Sequence, residues 1–187
     1  ESAINKAEGQ KQAAILKAEG EKEAARLVAE GQAVARVRQA EAEAIANAQV
    51  ESVTDANGLQ AVKVTFDSGI LFATNKADLN ATAKTSLKEF AGVLNNYADT
   101  DVAIIGHTDN TGSDAINNPL SLKRAQSVEA YLKSCGVSVN QIATVEGKGS
   151  TEPVADNSTS AGRTQNRRVE VYMYASPEMI NAANAGT

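Results

Sequence analysis

The stretch that decides the fold is DVAIIGHTDNTGSDAINNPLSLKRAQSVEAYLKSCG, residues 101–136. It starts with an apolar run, 101–109, which enters a turn of glycine and small polar residues and is typical of a central strand and its exit. A helix is predicted to follow, because Asn118 can act as its N-cap, Pro119 suits the first helical position and Gly136 is a good stop. The segment therefore predicts a strand, a turn and a helix that packs back beside the strand.

Strand and helix signals alternate on both sides of this stretch. The segment AVKVTF (61–66) alternates as a half-buried strand, and IATVE (142–146) and RRVEVYMY (167–174) predict two more strands. Apolar residues spaced by three and four in TAKTSLKEFAGVLNNYA (82–98) predict an amphipathic helix, and the segment before it, ILFATNKADLN (70–80), is predicted to be a loop. The order βαβαβ predicts an α/β fold, an α+β sandwich with helices on one face of a small mixed sheet. Its predicted aromatic core residues are Phe66, Phe72, Phe90 and Tyr131.

The first 50 residues have a different texture and form a predicted helical arm. They contain no proline and no aromatic residue, and Ala-Glu-Gly recurs every eleven residues, at 7–9, 18–20 and 29–31. Eleven residues over three turns keep an apolar stripe nearly straight. A long N-terminal helix is therefore expected, either as a coiled coil or as a solvated or partly disordered arm. Residues 51–60, with turn formers, are expected to be a linker, 61–175 a domain, and 176–187 a flexible tail.

Composition excludes several function classes. The net charge of −5 argues against nucleic acid as a partner, and no apolar run is long enough to span a bilayer, so any membrane link is expected outside these residues. With one histidine and one cysteine, the chain lacks the usual zinc site or a disulfide. We expect Cys135 to be a buried structural thiol and His107 to be a hydrogen-bonded structural side chain. The chain starts at Glu1, so we expect a fragment or a mature form.

Two charged residues of the central stretch are the candidate site. Asp109 ends the strand, and Arg124 lies on the following helix at the edge of its buried face. Because that helix packs back on the strand, the carboxylate and the guanidinium are predicted to face one small space. The pair has two possible uses: a partly buried salt bridge, or recognition of a zwitterion, with Asp109 accepting hydrogen bonds from an ammonium and Arg124 binding a carboxylate.

Four linked motifs resemble the OmpA-like peptidoglycan-binding domain, as found in outer-membrane porins, peptidoglycan-associated lipoproteins and the stator protein MotB. The motifs are GHTDNTG, NNPLSLKRAQSVEAYL, GKGSTEPVADN and GRTQNRRVEVYM, and the match spans about residues 61–175. The resemblance implies a periplasmic domain that binds peptidoglycan non-covalently through the diaminopimelate of its stem peptide. It implies no catalysis, no cofactor and no metal. Hydrolases of peptidoglycan use zinc, a Cys–His pair or paired carboxylates, and no such set is evident in the sequence.

The same resemblance implies a set of ligand-binding residues. Asp109 would take the ammonium of diaminopimelate and Arg124 its carboxylate. Asn117 and Arg167 match further contact positions, although Asn117 can equally shape the turn. Arg163 and Arg168 are interpreted as surface ion pairs outside the site. The complete predicted site consists of Thr74, Asn75, Thr108, Asp109, Asn117, Leu120, Arg124 and Arg167.

The arm carries a second resemblance, on AEGQKQAAILKAEGEKEAARLVAEGQA. This run is similar to the coiled-coil segment that follows the core domain in stomatin, prohibitin and flotillin proteins.

From the OmpA-like resemblance, the expected function is an anchor between the outer membrane, or another envelope protein, and the wall of a Gram-negative bacterium. An alternative is a structural protein that oligomerises through the arm and carries the OmpA-like domain as anchor or cargo. A natural fusion, an engineered chimera and an error of chain assembly all stay open for the two halves.

Overall fold

A computed structural model describes residues 6, 8–22, 45, 47–54 and 60–175. Residues 8–22 are helical (α1) and exposed to solvent, and Lys17 Nζ lies 3.9 Å from Glu21 Oε1 one turn later. The predicted N-terminal helix is confirmed for this part of the arm, and the predicted tail lies outside the described residues. Within the described parts of the chain, no helix is both long and apolar enough to cross a bilayer.

Five strands form one mixed sheet, in the order β1-β2-β5-β3-β4. Their bounds are β1 Ala48–Thr54, β2 Gln60–Asp67, β3 Thr100–His107, β4 Ile142–Gly147 and β5 Arg168–Ala175. All neighbours are antiparallel except β3 and β4. The strands predicted at 61–66, 101–109, 142–146 and 167–174 are thereby confirmed, and β3 lies inside the sheet between β5 and β4.

The first strand corrects the predicted linker. Residues 51–54 belong to β1, which pairs with β2 along its whole length, and Ile45 is already buried in the core. Lys63 Nζ lies 3.0 Å from Glu51 Oε2 across this pair of strands. The sheet therefore starts before the predicted boundary, and the predicted turn formers Asp55, Asn57 and Gly58 lie outside the described residues.

The helices are α2 Ser68–Leu71, α3 Ala81–Asn96, α4 Asp114–Ser134 and α5 Ser160–Asn166, with a 3₁₀ turn at Val139–Gln141. Helix α3 confirms its prediction, and its N-cap is Asn80, whose side chain accepts a 2.8 Å hydrogen bond from the backbone N–H of Ala83. Helices α2 and α5 and the 3₁₀ turn were not predicted, since each is too short to show a hydrophobic period. The loop predicted at 70–80 therefore starts two residues later, at Phe72, because Ile70 and Leu71 belong to α2.

The predicted start of α4 is wrong. The helix begins at Asp114, after the extended residue Ser113, whose carbonyl accepts from the N–H groups of Ile116 and Asn117. Asp114 favours this start because a negative charge stabilises the first turn of a helix. Pro119 lies inside the helix, where it removes one internal hydrogen bond. The predicted end is confirmed, since Gly136 follows the C-cap with a φ of +94°.

One core lies between the sheet and the long helices. Inward residues of the strands alternate with partly exposed ones, and they pack with Leu87, Phe90 and Leu94 of α3. The Phe66 and Phe90 rings are tilted with centroids 5.8 Å apart, and Phe72 is buried as predicted. Tyr131 and Cys135 are only partly buried against this core, so the prediction of a buried thiol is correct only in part.

Helix α4 approaches the backbone of the sheet closely at two glycines. A Cβ added at Gly106 would lie 2.1 Å from the carbonyl oxygen of Ser121, and one at Gly147 would lie 2.3 Å from the backbone nitrogen of Leu122. Real side chains do not tolerate such distances to backbone atoms, so only glycine fits at either position. This contact fixes the distance between α4 and the ends of β3 and β4, where the candidate site lies.

We predict that Gly106→Ala lowers the free energy of unfolding by about 1–3 kcal/mol, the usual range for overpacking, because α4 must move away from β3. Gly92→Ala is the matched control. An added Cβ there meets no atom within 4 Å, and replacing a glycine within a helix raises stability by up to about 1 kcal/mol. Urea unfolding of the full chain measures both variants. Equal stability of Gly106→Ala and the wild type would contradict this account of the packing.

Candidate functional site

Asp109 lies just beyond the end of β3, in a turn that its own side chain helps to hold. The N–H of Thr108 donates to the carbonyl of Gly149 at 2.8 Å, which ties the strand end to the loop after β4. The Asp109 carboxylate is 6 % exposed and accepts a 2.8 Å bond from the N–H of Thr111. One carboxylate oxygen is thus fixed by the backbone.

The second oxygen of Asp109 pairs with Arg167, at the entry to β5. Arg167 Nη1 donates to Oδ2, and its Nη2 donates to Thr164 Oγ1 at 2.9 Å. Burial alone would raise the pKa of Asp109, but the hydrogen bonds from Thr111 and Arg167 and the positive charge of Arg167 hold it below its ordinary value. The salt bridge considered between Asp109 and Arg124 is not the one that forms in the described structure, since Asp109 pairs with Arg167.

Arg124 is buried on α4 and is held by backbone and ring contacts. The residue is 5 % exposed. Its Nε donates to the carbonyl of Lys76 at 3.0 Å, and its guanidinium carbon lies 5.1 Å from the centre of the Phe72 ring. Among the described residues, nothing accepts a hydrogen bond from either of its terminal nitrogens. Burial and the nearby Arg167 lower the pKa of Arg124, whereas Asp109 opposes that shift.

The Asn117 side chain holds the turn that carries Asp109. It is buried, and its Nδ2 donates to the carbonyls of Thr111 at 3.1 Å and of Asp109 at 3.4 Å. These bonds show the turn-shaping use considered in the sequence. Thr108, also buried, has a hydroxyl without a hydrogen-bond partner among the described residues. Such an orphaned buried hydroxyl calls for an unseen partner, such as a ligand or a water.

Two of the remaining predicted residues line a depression whose wall includes Lys123, the neighbour of Arg124 in the chain. Asn75 and Leu120 line it, with Lys76, Ala77, Ile116, Pro119 and Lys123, and its volume is about 400 Å³. Asn75 has a φ of +57° in the loop before α3. Thr74 is exposed in the same loop, and its hydroxyl forms no hydrogen bond within the described structure.

The structure thus brings Asp109, Asn117 and Arg167 into direct contact. Arg124 lies close enough for the charges of Arg167 and Asp109 to affect its pKa. Asn75 and Leu120 line the neighbouring depression. Two contributors were missed in the sequence: the Lys76 carbonyl and the Phe72 ring. A backbone carbonyl leaves no signal in a sequence, and Phe72 was assigned to the core, which it also joins. Within the described residues there is no cluster of three metal-ligating side chains.

A second polar cluster lies on the opposite face of the sheet. Arg168 Nε is 2.7 Å from Glu170 Oε1, Tyr172 donates to Oε2 at 2.7 Å, and His107 Nε2 lies 3.4 Å from the same oxygen. Burial would raise the pKa of Glu170, but the contacts of His107, Tyr172 and Arg168 hold it far below its ordinary value. His107 was predicted to be a hydrogen-bonded structural side chain; it is buried, but neither ring nitrogen forms a well-aligned hydrogen bond among the described residues.

The interpretation of Arg163 and Arg168 as surface ion pairs is wrong. Arg168 is buried and its ion pair with Glu170 lies under the loop after β4, because it also donates to the carbonyl of Glu152. Arg163 donates to the carbonyls of Asn157 and Ser158, and no ion pair of this side chain is present in the described part of the chain. Both arginines therefore hold the loop in place.

Comparison with known proteins gives consistent matches to the domain. Residues 71–167 match the model of the OmpA family. The chain is 39 % identical over 116 residues to Outer membrane protein A of Bordetella avium, covering 62 % of this chain and 59 % of that protein. It is 43 % identical over 113 residues to Peptidoglycan-binding protein ArfA of Mycobacterium tuberculosis, covering 60 % and 34 %. The chain thus spans less than two thirds of these relatives.

Solved structures share the fold. The structure described as the cell wall anchor of the T6SS from Pseudomonas aeruginosa has a TM-score of 0.62 at 29 % identity, covering 74 % of this chain and 95 % of that one. The OmpA-like domain of FopA1 from Francisella tularensis has a TM-score of 0.51 at 26 % identity, covering 70 % and 82 %. The family match begins at residue 71, so the resemblance of the arm to stomatin proteins stays a prediction.

We predict that Arg167→Gln raises the pKa of Asp109 toward its ordinary value, because the variant removes both a hydrogen bond and a positive charge. A depressed carboxyl pKa contributes stability above the unfolded-state pKa, and this contribution is lost as the pH falls through the folded-state pKa. The extra stability that Arg167 gives the wild type at neutral pH is therefore lost as the pH falls from the unfolded-state pKa to the folded-state pKa, and the variant shows less of this loss. Carboxyl-carbon NMR titration measures the pKa directly, with Lys148→Gln, which removes a partly exposed lysine paired with Glu146, as control. An unchanged pKa in Arg167→Gln would refute the assignment.

Proposed function

The chain belongs to the OmpA family, and on that basis we propose that its domain, from β1 to β5, binds peptidoglycan and holds an envelope component to the cell wall. The family is one of binding and anchoring domains rather than enzymes. The relatives include proteins named for peptidoglycan binding and for the outer membrane. We accordingly place the domain in the periplasm, associated with the outer membrane of a Gram-negative cell.

One observation carries the proposal: among the described residues, the two terminal nitrogens of a buried arginine have no hydrogen-bond partner. Arg124 is fixed through Nε and through the Phe72 ring, so its fork is oriented before any ligand arrives. A buried cation without an anionic partner is costly, and a carboxylate matches the fork with two parallel hydrogen bonds. We assign this position to the carboxylate of the ligand.

The neighbouring carboxylate supplies the complementary half. Asp109 is ionised, and one of its oxygens is held by the Thr111 N–H while the other meets Arg167. An ammonium that approaches this second oxygen replaces or joins a partly exposed arginine, whose side chain is 38 % exposed. The ligand is then a zwitterion with an ammonium and a carboxylate on one carbon. Within peptidoglycan we propose that this is the free end of diaminopimelate in the stem peptide.

The other predicted residues take supporting roles in this proposal. Asn117 positions the Asp109 turn, and the orphaned hydroxyl of Thr108 gains a partner from the ligand. Leu120 forms an apolar wall on the Arg124 side. Thr74 and Asn75, in the exposed loop whose Lys76 carbonyl already holds Arg124, close over the bound group.

The arm supports a second candidate function, self-association. Two large apolar residues of α1, Ile15 and Leu16, are 40 % and 60 % exposed. An apolar stripe on a thin helix is stabilised when it packs against a second helix. In this hypothesis the arm gathers several domains on one wall, and avidity raises the total affinity.

The predicted result of analytical ultracentrifugation on the full chain is an oligomer whose population grows with concentration. Ile15→Ser combined with Leu16→Ser shifts the chain toward monomer, because the variant removes exposed apolar area of the arm. The control, Val139→Ser, removes a large apolar residue that is 64 % exposed in the domain and leaves the distribution unchanged. A monomer at every concentration would exclude association through the arm.

For the binding site we predict that Arg124→Ala lowers the affinity of the full chain for diaminopimelate-type peptidoglycan by about 10- to 100-fold. This range corresponds to the loss of charged hydrogen bonds worth about 1.5–3 kcal/mol. Arg124→Lys recovers only part of the affinity, since an ammonium lacks the planar fork. Asp109→Asn also weakens binding, because a neutral amide attracts an ammonium less.

Pull-down with purified peptidoglycan measures binding, and circular dichroism and urea unfolding measure folding. Lys88→Ala, an exposed cation on α3, is the control for a loss of positive charge and is expected to bind like wild type. Full binding by a folded Arg124→Ala variant would contradict the site, and absence of binding by wild type would contradict the function.

A further inference from the structure

The depression adjoins the proposed diaminopimelate site through Lys76. Lys76 contributes to both, since its backbone carbonyl accepts from Arg124 Nε and its residue lines the depression. Leu120 precedes Arg124 by one helical turn, so its side chain lies on the neighbouring part of the α4 surface. A ligand whose end group binds Arg124 therefore extends directly into this space.

The α4 side of the depression is apolar and exposed. Ile116, Pro119 and Leu120 line it from α4, and Ala77 faces them from the loop before α3. Ile116 is 62 % exposed, which is unusual for so large an aliphatic side chain in the well-packed domain. Single exposed apolar residues need no explanation, but here several line one concavity of about 400 Å³, a volume typical of ligand pockets.

Two free positive charges complete the depression. Lys76 and Lys123 line it from its two sides, and in the described structure neither amino group has an acidic partner or any other hydrogen-bond acceptor. The chain as a whole is acidic, with a net charge of −5. A pair of unpaired lysines in an apolar concavity is complementary to an extended ligand that carries a carboxylate.

We propose that this depression is a second subsite, which binds the acidic residue that precedes diaminopimelate in the stem peptide. The proposal rests on the proposed function, because diaminopimelate must occupy the Asp109 and Arg124 position first. A peptide advances at most about 3.3–3.6 Å per residue, so the next residue of the stem falls within a space that adjoins Arg124. Its free carboxylate would lie between Lys76 and Lys123, with its methylene groups on Ile116 and Leu120.

Isothermal titration calorimetry of the full chain tests the subsite with three probes. The first is free meso-diaminopimelate, and the second is the tripeptide of alanine, glutamate and diaminopimelate, in which the glutamate keeps a free carboxylate. The third is the same tripeptide with that carboxylate converted to a carboxamide. The variant is Lys76→Ala combined with Lys123→Ala, and the control is Lys84→Ala combined with Lys88→Ala, two exposed cations of α3 outside the depression.

The expected result is selective for the acidic tripeptide. The double variant at the depression lowers its affinity by about three- to tenfold, as two exposed ion pairs allow, and lowers the affinity for free diaminopimelate less. The carboxamide tripeptide binds wild type and variant alike. The control variant binds all three probes like wild type.

Each other outcome contradicts either the subsite or the proposed function. Equal affinity of the variant and wild type for the acidic tripeptide refutes the subsite, and so does an equal loss for both tripeptides. If Arg124→Ala abolishes binding while the lysine variant does not change it, the subsite fails and the proposed function stands. If wild type binds none of the three probes, the diaminopimelate assignment and the subsite both fail.

Discussion

The close contact of α4 with the backbone of β3 and β4 is the constraint on which the site depends. At Gly106 and Gly147 the helix lies directly on the sheet with no side chain between them. Ser121 links the same region to the loop after β4, since its hydroxyl accepts from the N–H of Gly149 at 3.0 Å. With the helix at this height, Arg124, one turn after Ser121, is buried beside the strand end that carries Asp109. A side chain in place of either glycine would lift the arginine away from the carboxylate.

Arg167 and Arg124 both lie near the Asp109 carboxylate, but they have different electrostatic roles. Arg167 neutralises Asp109 in the free protein, and it is partly exposed, so its ion pair is weak and can be exchanged. Arg124 is buried and has no anionic partner among the described residues, so its charge is destabilised until an anion arrives. In the proposed function this asymmetry matters: the ligand carboxylate gains a preformed and desolvated cation, while the ammonium only competes with a solvated one. A buried Asp109–Arg124 pair would have satisfied both groups and left less affinity for a ligand.

The sequence predicted secondary structure correctly wherever apolar residues recurred with one regular spacing along a long segment. Helix α3 and strands β2, β3, β4 and β5 follow from apolar spacing, and the family motifs identified the fold. Strand β1 was missed because the alanine-rich sequence before it predicts a helix, and the strand depends on its pairing with β2. The start of α4 was misplaced because Asn118 and Pro119 form a good local helix start, whereas the turn bonds of Ser113 and Asn117 extend the helix backwards. For the site, Asp109 and Arg124 were chosen correctly as neighbours, but the partner of Asp109 depends on tertiary contacts.

That partner follows from strand register. His107 pairs with Arg168 in the antiparallel ladder of β3 and β5, so the residue after His107 and the residue before Arg168 continue to face each other at the strand ends. This brings Arg167 next to Thr108 and Asp109. Because side chains alternate across a strand, the two consecutive arginines serve opposite faces: Arg168 is buried with Glu170, and Arg167 reaches the site. The buried cluster of Arg168, Glu170 and His107 therefore has a role in the site without touching it, because it fixes the register that aims Arg167 at Asp109.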